Sequence, residues 1–258
     1  MFKNRLKERL SQGGTVLGTF VSVNSPDLVE VIGLSGFDFV VLDTEHGPFT
    51  VETTTNLIRA AELHGLTPLT RVTEGSETTI LRALDVGTHG IHVPQVNDGE
   101  TARQIIQAAK YFPLGNRGIA LPRASDYGFL NPMEYFKQAN EETLIIVHCE
   151  NKTSLDNLED IAKIPEIDVI FLGPFDMSQS LGIPGQVNHP LIQEAAERVL
   201  TITEQYGKAA GIFAIDGEQA RKRAEQGFRY ITLGIDVTLF AKACQSEVAA
   251  FKQTSQIL

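Results

Sequence analysis

Apolar residues along the chain fall into two alternating patterns. Near-continuous apolar runs, several rich in β-branched residues, lie at 15–22, 37–43, 67–71, 89–93, 143–150, 168–172, 208–213 and 229–233. Parallel strands covered by helices on both faces need runs of this kind. Between them, apolar residues recur every three or four positions at 26–35, 51–64, 76–86, 98–110, 132–140, 153–162, 189–206, 216–226 and 236–252, and a further short helix follows Asp176. That period predicts amphipathic helices. Pro26-Asp27 suit a first helical turn, and Gly65, Gly87 and Gly227 stand where helices stop. A short amphipathic helix is also predicted at 2–12, ended by Gly13-Gly14.

Eight strands, each followed by at least one helix, point to a closed (β/α)₈ (TIM) barrel more than to an open sheet. No G-x-G-x-x-G separates the first strand from its helix, which weakens a dinucleotide-binding reading and leaves no organic cofactor to expect. No linker or shift in composition divides the chain, so one barrel domain is expected over 1–258. Hydrophobic content of 42% and charged content of 21% are ordinary for a protein with a sizeable core. A formal charge of −10 argues against nucleic acid or an anionic membrane as partner. Cys149 and Cys244 are too few and too distant for a disulfide framework or a thiolate zinc site. With no apolar signal core and no run of membrane-spanning length, a cytoplasmic location is expected.

In such a barrel the active site lies at the C-terminal ends of the strands. There the second strand delivers Asp43, Glu45 and His46, and the third delivers Arg71. The fifth delivers His148 and Glu150, which share one face by parity, and Asp176 follows the sixth behind Gly173-Pro174. Each residue singly also has a structural explanation. Asp43 could cap the next helix, Glu45 and His46 could be solvated loop residues, Arg71 could be paired for structure, and Asp176 could cap a helix. Two carboxylates converging from adjacent strands repel unless a cation joins them. With no lysine at these strand ends, Mg²⁺ or Mn²⁺ held by Glu150 and Asp176 fits the donor set, and a Schiff base does not. Arg71 then suits an anionic substrate or a developing enolate. Asp43 is positioned in the sequence to orient His46 for proton transfer.

These motifs carry a family resemblance. Gly36-Phe37-Asp38, Asp43-Thr44-Glu45-His46-Gly47, Arg71, Leu84-Asp85-Val86-Gly87 and Val93-Pro94 are joined by Gly115-Asn116-Arg117-Gly118 and Arg123-Ala124. Glu150, Gly173-Pro174-Phe175-Asp176-Met177-Ser178, Gly211 and Leu233-Gly234-Ile235-Asp236 complete the set. The sequence resembles the HpcH/HpaI family of class II pyruvate aldolases over essentially its whole length.

The resemblance implies a carbon–carbon lyase of aromatic-compound or sugar-acid catabolism. It would reversibly cleave a 4-hydroxy-2-oxo acid to pyruvate and an aldehyde through an enolate stabilised by a divalent ion (Mg²⁺, Mn²⁺ or Co²⁺). It implies Glu150 and Asp176 as metal ligands, Arg71 as the enolate's partner, the amides of Phe175 and Asp176 as the carboxylate site, and His46 with Asp43 as the acid/base unit. Glu45 would order water or support the loop. It also implies a homohexamer, a trimer of dimers, with the C-terminal helix exchanged between subunits. Arg117 and Arg123, in the long loop between residues 112 and 128, would support the aldehyde side, often together with a neighbouring subunit.

Two positions depart from the family pattern. His148 stands where family members commonly carry Gln; it could approach the metal as an extra ligand, but a substrate contact is expected of it. His92 replaces an aliphatic residue and is expected to be a satisfied core histidine. Related uses of the same site are oxaloacetate decarboxylation, acyl-CoA ester cleavage and binding of a 2-oxo acid without turnover.

Overall fold

A computed structural model describes residues 3–254, with side chains through Lys252. In chain order the elements are α1 (Arg5–Ser11), β1 (Val16–Val21), α2 (Pro26–Leu34), β2 (Phe39–Asp43), α3 (Val51–Leu63) and β3 (Thr67–Arg71). They continue with α4 (Glu77–Asp85), β4 (Gly90–Val93), α5 (Gly99–Ala109), a 3₁₀ segment (Arg123–Gly128), α6 (Pro132–Glu142) and β5 (Leu144–Cys149). The last third comprises α7 (Lys152–Asp156), α8 (Leu158–Ala162), β6 (Val169–Leu172), α9 (Pro174–Ser180), α10 (Pro190–Gln205), β7 (Ala209–Ala214), α11 (Gly217–Gln226), β8 (Tyr230–Ile235) and α12 (Asp236–Thr254).

Local chemistry sets these boundaries. Ser25, Asp98, Asn131 and Asp216 each accept a first-turn amide of the helix they precede, and Pro26 and Pro132 occupy first-turn positions whose missing N–H costs nothing. Thr50 and Thr53 close a reciprocal capping box on α3. Gly227 ends α11 at φ 115°, a left-handed geometry that favours glycine. Three expectations shift. The helix predicted at 153–162 is two short ones, because Asn157 leaves helical geometry and donates its side-chain amide to the Asn97 carbonyl at 2.9 Å. The helix after β6 starts at Pro174 with Gly173 as its cap, so Asp176 lies inside the first turn and does not cap it. The N-terminal helix begins at Arg5 behind the Asn4 cap; the earlier start at residue 2 falls outside the described residues.

All eight strands are parallel and each pairs with its neighbours in sequence order, β8 closing on β1. Alternate residues therefore point to one axis. Phe39 and Val41 of β2, Leu69 of β3, Ile146 of β5, Phe171 of β6 and Tyr230 of β8 fill the interior. At the end where the strands begin, α1 seals the barrel: Leu6 joins this core and the Asn4 side chain donates to the carbonyls of His89 and Glu142 at 3.0 and 2.9 Å. Among the described residues, the end left uncovered along the axis is the one where the strands finish.

Packing near the sealed end depends on the absence of a side chain at Gly18. A Cβ there would stand 2.3 Å from two ring carbons of Phe39, a ring stacked on Tyr230 at 4.4 Å between centroids. Both rings are fully buried and have no room to withdraw. Gly18→Ala is expected to destabilise the fold by about 1–3 kcal/mol, read as a lowered urea midpoint with unchanged slope.

Candidate active site

The C-terminal ends of the strands enclose a cavity of about 600 Å³ whose wall includes Arg71, Glu150, Gly173, Asp176, Phe20 and Phe213. Asp43, Arg71, His148 and Glu150 reach this end because each has the parity of the inward-facing core residues of its own strand. A larger depression of about 800 Å³ lies at the opposite, α1-sealed end, around Thr67, His89 and Thr143 at the starts of strands. The chemistry, and not the volume, marks the smaller cavity as the candidate site.

Asp43 and Arg71 are paired in strand register, and their side chains meet. The Arg71 guanidinium donates from Nε to Asp43 Oδ1 at 2.9 Å and from Nη2 to Oδ2 at 2.5 Å, a bidentate fork. Its third nitrogen, Nη1, lies 3.2 Å from Glu45 Oε2, and the group sits 4.7 Å from the Phe20 ring centre. Asp43 Oδ1 also accepts the backbone amides of Glu45 and His46 at 3.1 and 3.2 Å. The expectation that Asp43 orients the His46 imidazole is therefore corrected. Its carboxylate is used by Arg71 on the adjacent strand end and by the turn that carries His46.

His46 is 70% exposed, and the carboxylate nearest its ring is Glu45, with Nε2 to Oε2 at 4.0 Å. Glu45 has its pKa raised, chiefly by burial, with Arg71 pulling it down and Glu150 adding to the rise. A half-buried carboxyl thus stands beside an exposed imidazole at the mouth of the cavity. The sequence left Glu45 with only a supporting part.

Glu150 is enclosed. Its Oε1 accepts the Gln95 amide at 2.7 Å, and Oε2 lies 3.1 Å from His148 Nδ1. Burial pushes the Glu150 carboxyl up, but His148, the Gln95 amide and Arg71 together hold it below the usual carboxylate range. Gln95 adopts φ 56°, an uncommon geometry for a side-chain-bearing residue, and that places its amide on the carboxylate. Nothing in the sequence beyond the preceding Pro94 hinted at this.

Gly173 leaves a notch between two carboxylates. A Cβ built there would lie 3.1 Å from Glu150 Oε2 and 3.9 Å from Asp176 Oδ2. Both oxygens thus face one small space, with Arg71 in the same cavity. Among the described residues no group of three or more His, Cys, Asp and Glu is arranged to hold an ion. Two carboxylates alone suit a hard cation that keeps most of its shell for water and ligand oxygens, as Mg²⁺ and Mn²⁺ do. The donor set fits such an ion. No side chain caps α9, so the amides of Phe175 and Asp176 stand at an uncapped helix start.

His148 is buried, and both of its ring nitrogens have protein partners: Glu150 on Nδ1, and His92 Nδ1 at 3.0 Å from Nε2. Phe175 is half-exposed and packs edge-on against Phe213 at 5.9 Å. Lys242 of α12 also reaches the rim, where its ammonium donates to the Ile215 carbonyl at 2.6 Å. The strand ends bear no lysine, and this one comes from the helix that follows β8.

Arg117 and Arg123 are not brought to this cavity. Arg117 pairs with Asp85 at 2.8 Å and lies 4.8 Å from the Tyr111 ring centre; Arg123 bonds Glu62 and the Val86 carbonyl. Both line the opposite depression. The expectation that they support the aldehyde side is corrected for the single chain. Their loop follows α5 and precedes α6 and β5, and a segment leading from a helix back to a strand runs at the end where strands begin.

The profile of the family described as HpcH/HpaI aldolase/citrate lyase matches residues 16–243. The chain is 34% identical over 259 residues to a 2-keto-3-deoxy-L-rhamnonate aldolase of Salmonella gallinarum, covering 100% of this chain and 96% of that one. It is similar to the solved structure of an HpcH/HpaI aldolase/citrate lyase family protein from Burkholderia cenocepacia J2315, with TM-score 0.92, 31% identity and coverage of 97% and 100%. It is also similar to the structure of Citrate Synthase SbnG, with TM-score 0.87, 34% identity and coverage of 96% and 98%.

The partners of Asp43 and His46 predict different mutational costs. Asp43→Ala removes one arm of a buried ion pair and is expected to cost about 3 kcal/mol. His46→Ala removes an exposed ring and is expected to change stability by under about 0.5 kcal/mol. Urea unfolding of the two variants checks this, and equal costs would contradict the assignment of Asp43 to Arg71.

Proposed function

The chain belongs to the HpcH/HpaI aldolase/citrate lyase family, and from that premise we propose that it is a metal-dependent aldolase cleaving a 2-keto-3-deoxy acid to pyruvate and an aldehyde. One observation carries the reading of the site: Glu150 and Asp176 turn carboxylate oxygens to the same notch at Gly173, inside the cavity that contains Arg71. When bound there, Mg²⁺ or Mn²⁺ supplies Lewis acidity that polarises the substrate's keto group.

The remaining work belongs to side chains. The amides of Phe175 and Asp176 bind the substrate carboxylate, which suits a helix start without a side-chain cap. Arg71, fixed in the cavity wall by Asp43, faces the keto oxygen where negative charge accumulates. His46, beside Glu45, takes the proton of the 4-hydroxyl. The C3–C4 bond then breaks: the hydroxyl-bearing carbon leaves as the aldehyde, and the electron pair passes from C3 to the keto oxygen. Returning a proton to C3 completes the methyl group of pyruvate. Phe20 and Phe213 supply an apolar wall that strengthens these charge interactions.

Two further features complete the proposal. The whole length, 1–258, acts as one barrel unit. The last helix supports assembly, since Val237, Phe240 and Val248 of α12 are exposed apolar residues; a hexamer of three dimers exchanging α12 accounts for them. Among the described residues no helix is long and apolar enough to cross a membrane.

The similarity at 34% identity to a protein named as a citrate synthase favours a second use of the same site, adding a two-carbon unit to a 2-oxo diacid. Incubation with oxaloacetate and acetyl-CoA, assayed for citrate, separates it from pyruvate release.

Pyruvate release from 2-keto-3-deoxy-L-rhamnonate with Mn²⁺ or Mg²⁺, followed by coupled reduction, tests the main reading. Glu150→Ala and Asp176→Ala are expected to fall to background, and Arg71→Ala to lose about 10²–10³-fold in kcat. Full activity in excess chelator would overturn the metal mechanism. Pyruvate trapped on Lys242 by borohydride would replace it with a Schiff base.

A further inference from the structure

Behind the candidate site a line of polar groups crosses the barrel interior. Tyr230 Oη lies 2.6 Å from His92 Nε2, His92 Nδ1 lies 3.0 Å from His148 Nε2, and His148 Nδ1 lies 3.1 Å from Glu150 Oε2. Tyr230, His92 and His148 are each at most 2% exposed. The rings are locked in place: Phe20 and Phe171 lie edge-on to His92 at 6.0 and 5.5 Å, and Phe39 stacks on Tyr230. Polar groups are costly in such a core unless their hydrogen bonds are complete.

Completeness fixes the direction of the chain. The Glu150 carboxylate accepts the Gln95 amide on Oε1 and faces His148 with Oε2, and a carboxylate oxygen accepts, so His148 donates from Nδ1. A neutral imidazole with its proton on Nδ1 accepts at Nε2, and His92 must then donate from its own Nδ1. That leaves His92 Nε2 to accept the Tyr230 hydroxyl, whose proton has this nitrogen as its partner. In the reverse direction a charged His148 would donate to His92 and His92 to Tyr230, and the phenol proton would have no acceptor among the described residues. Burial also holds the pKa of His92 well below its ordinary value, with His148 and Arg71 adding to the effect, and it raises that of Tyr230 well above.

We infer that His92 and Tyr230 are positioning residues, which act through His148 to orient the Glu150 carboxylate toward the Gly173 notch. Both ring nitrogens of His148 are spent in this chain, so the ring, although it lines the cavity, offers neither substrate nor an ion a free nitrogen. His148 thereby supports Glu150 from the cavity wall, and His92 is the satisfied core histidine expected, its two nitrogens taken by His148 and Tyr230. The consequence for catalysis rests on Glu150 being a metal ligand. The direction of the chain does not. Residues that orient a metal ligand in this way usually contribute ten- to hundredfold to metal affinity.

Two measurements on the full chain keep these parts separate. Imidazole ¹H–¹⁵N correlation of ¹⁵N-histidine-labelled protein without added metal reads the tautomers directly. His92 and His148, assigned through His92→Gln and His148→Gln, are expected to carry a proton on Nδ1 and none on Nε2. A proton on Nε2 of either ring overturns the chain.

Mn²⁺ binding followed by electron paramagnetic resonance reads its effect on the ligand. His92→Leu is expected to weaken Mn²⁺ about tenfold or more. His92→Gln, which can donate to His148 and accept from Tyr230, is expected to restore most of that loss, and Tyr230→Phe to have a smaller effect. Unchanged affinity in His92→Leu, or a Gln variant no better than the Leu one, overturns the positioning role. If Glu150→Gln itself leaves Mn²⁺ affinity unchanged, the metal reading falls, and the tautomers alone decide the chain.

Discussion

A closed ring of eight parallel strands sends every second residue toward a single axis, and nothing on that axis meets water except at the two ends. In this protein α1 seals one end with Leu6 and Asn4. Any ligand approaching along the axis must therefore come through the mouth formed by the C-terminal strand ends. Inward residues one or two places before a strand end are deep in the core, and those at or just after it are exposed to a ligand. This geometry puts Arg71, Glu150 and Asp176 in one cavity although they are widely separated in sequence.

Charge in that mouth is unevenly distributed. Arg71 is the guanidinium of the cavity, and it is already engaged by Asp43 and Glu45. Glu150 and Asp176 face the Gly173 notch. A carboxylate pair of this kind is an unfavourable arrangement in an enclosed site unless a cation completes it. The same imbalance keeps Arg71 anchored in the wall while leaving its charge available to an anionic ligand. Asp43 spends its binding capacity on holding Arg71 and the turn at Glu45 and His46, and the His46 ring is left exposed.

Deeper in the barrel, a core of Phe, Leu, Ile and Val is interrupted by His92, His148 and Tyr230. An interior made only of hydrocarbon would be easier to assemble. A fully bonded line from Tyr230 to Glu150 has a different merit: it fixes the orientation of a carboxylate that a flexible side chain would otherwise let wander. Gly18 belongs to the same construction. Its bare backbone admits Phe39, and Phe39 stacks on the tyrosine that ends the line.

The barrel is legible in the sequence because its signals are local. Apolar runs, helical periods and capping residues each report on a few neighbouring positions, and their strict alternation leaves few ways to close a parallel sheet. Parity along a strand likewise puts His148 and Glu150 on one face from residue order alone. Which partner each polar group takes is not legible in this way. Asp43 could bond His46 three residues away or Arg71 across the sheet, and only strand register assigns it to Arg71. Arg117 and Arg123 carry family motifs, but the fold sends their loop to the strand-start end, to Asp85 and Glu62. The Gln95 amide and the His92–Tyr230 contact depend on a backbone angle and on facing strands of the closed ring. Sequence determines periodicity and the chemistry each strand end can offer. Pairing between distant groups is decided by register, closure and rotamer, which exist only once the ring has formed.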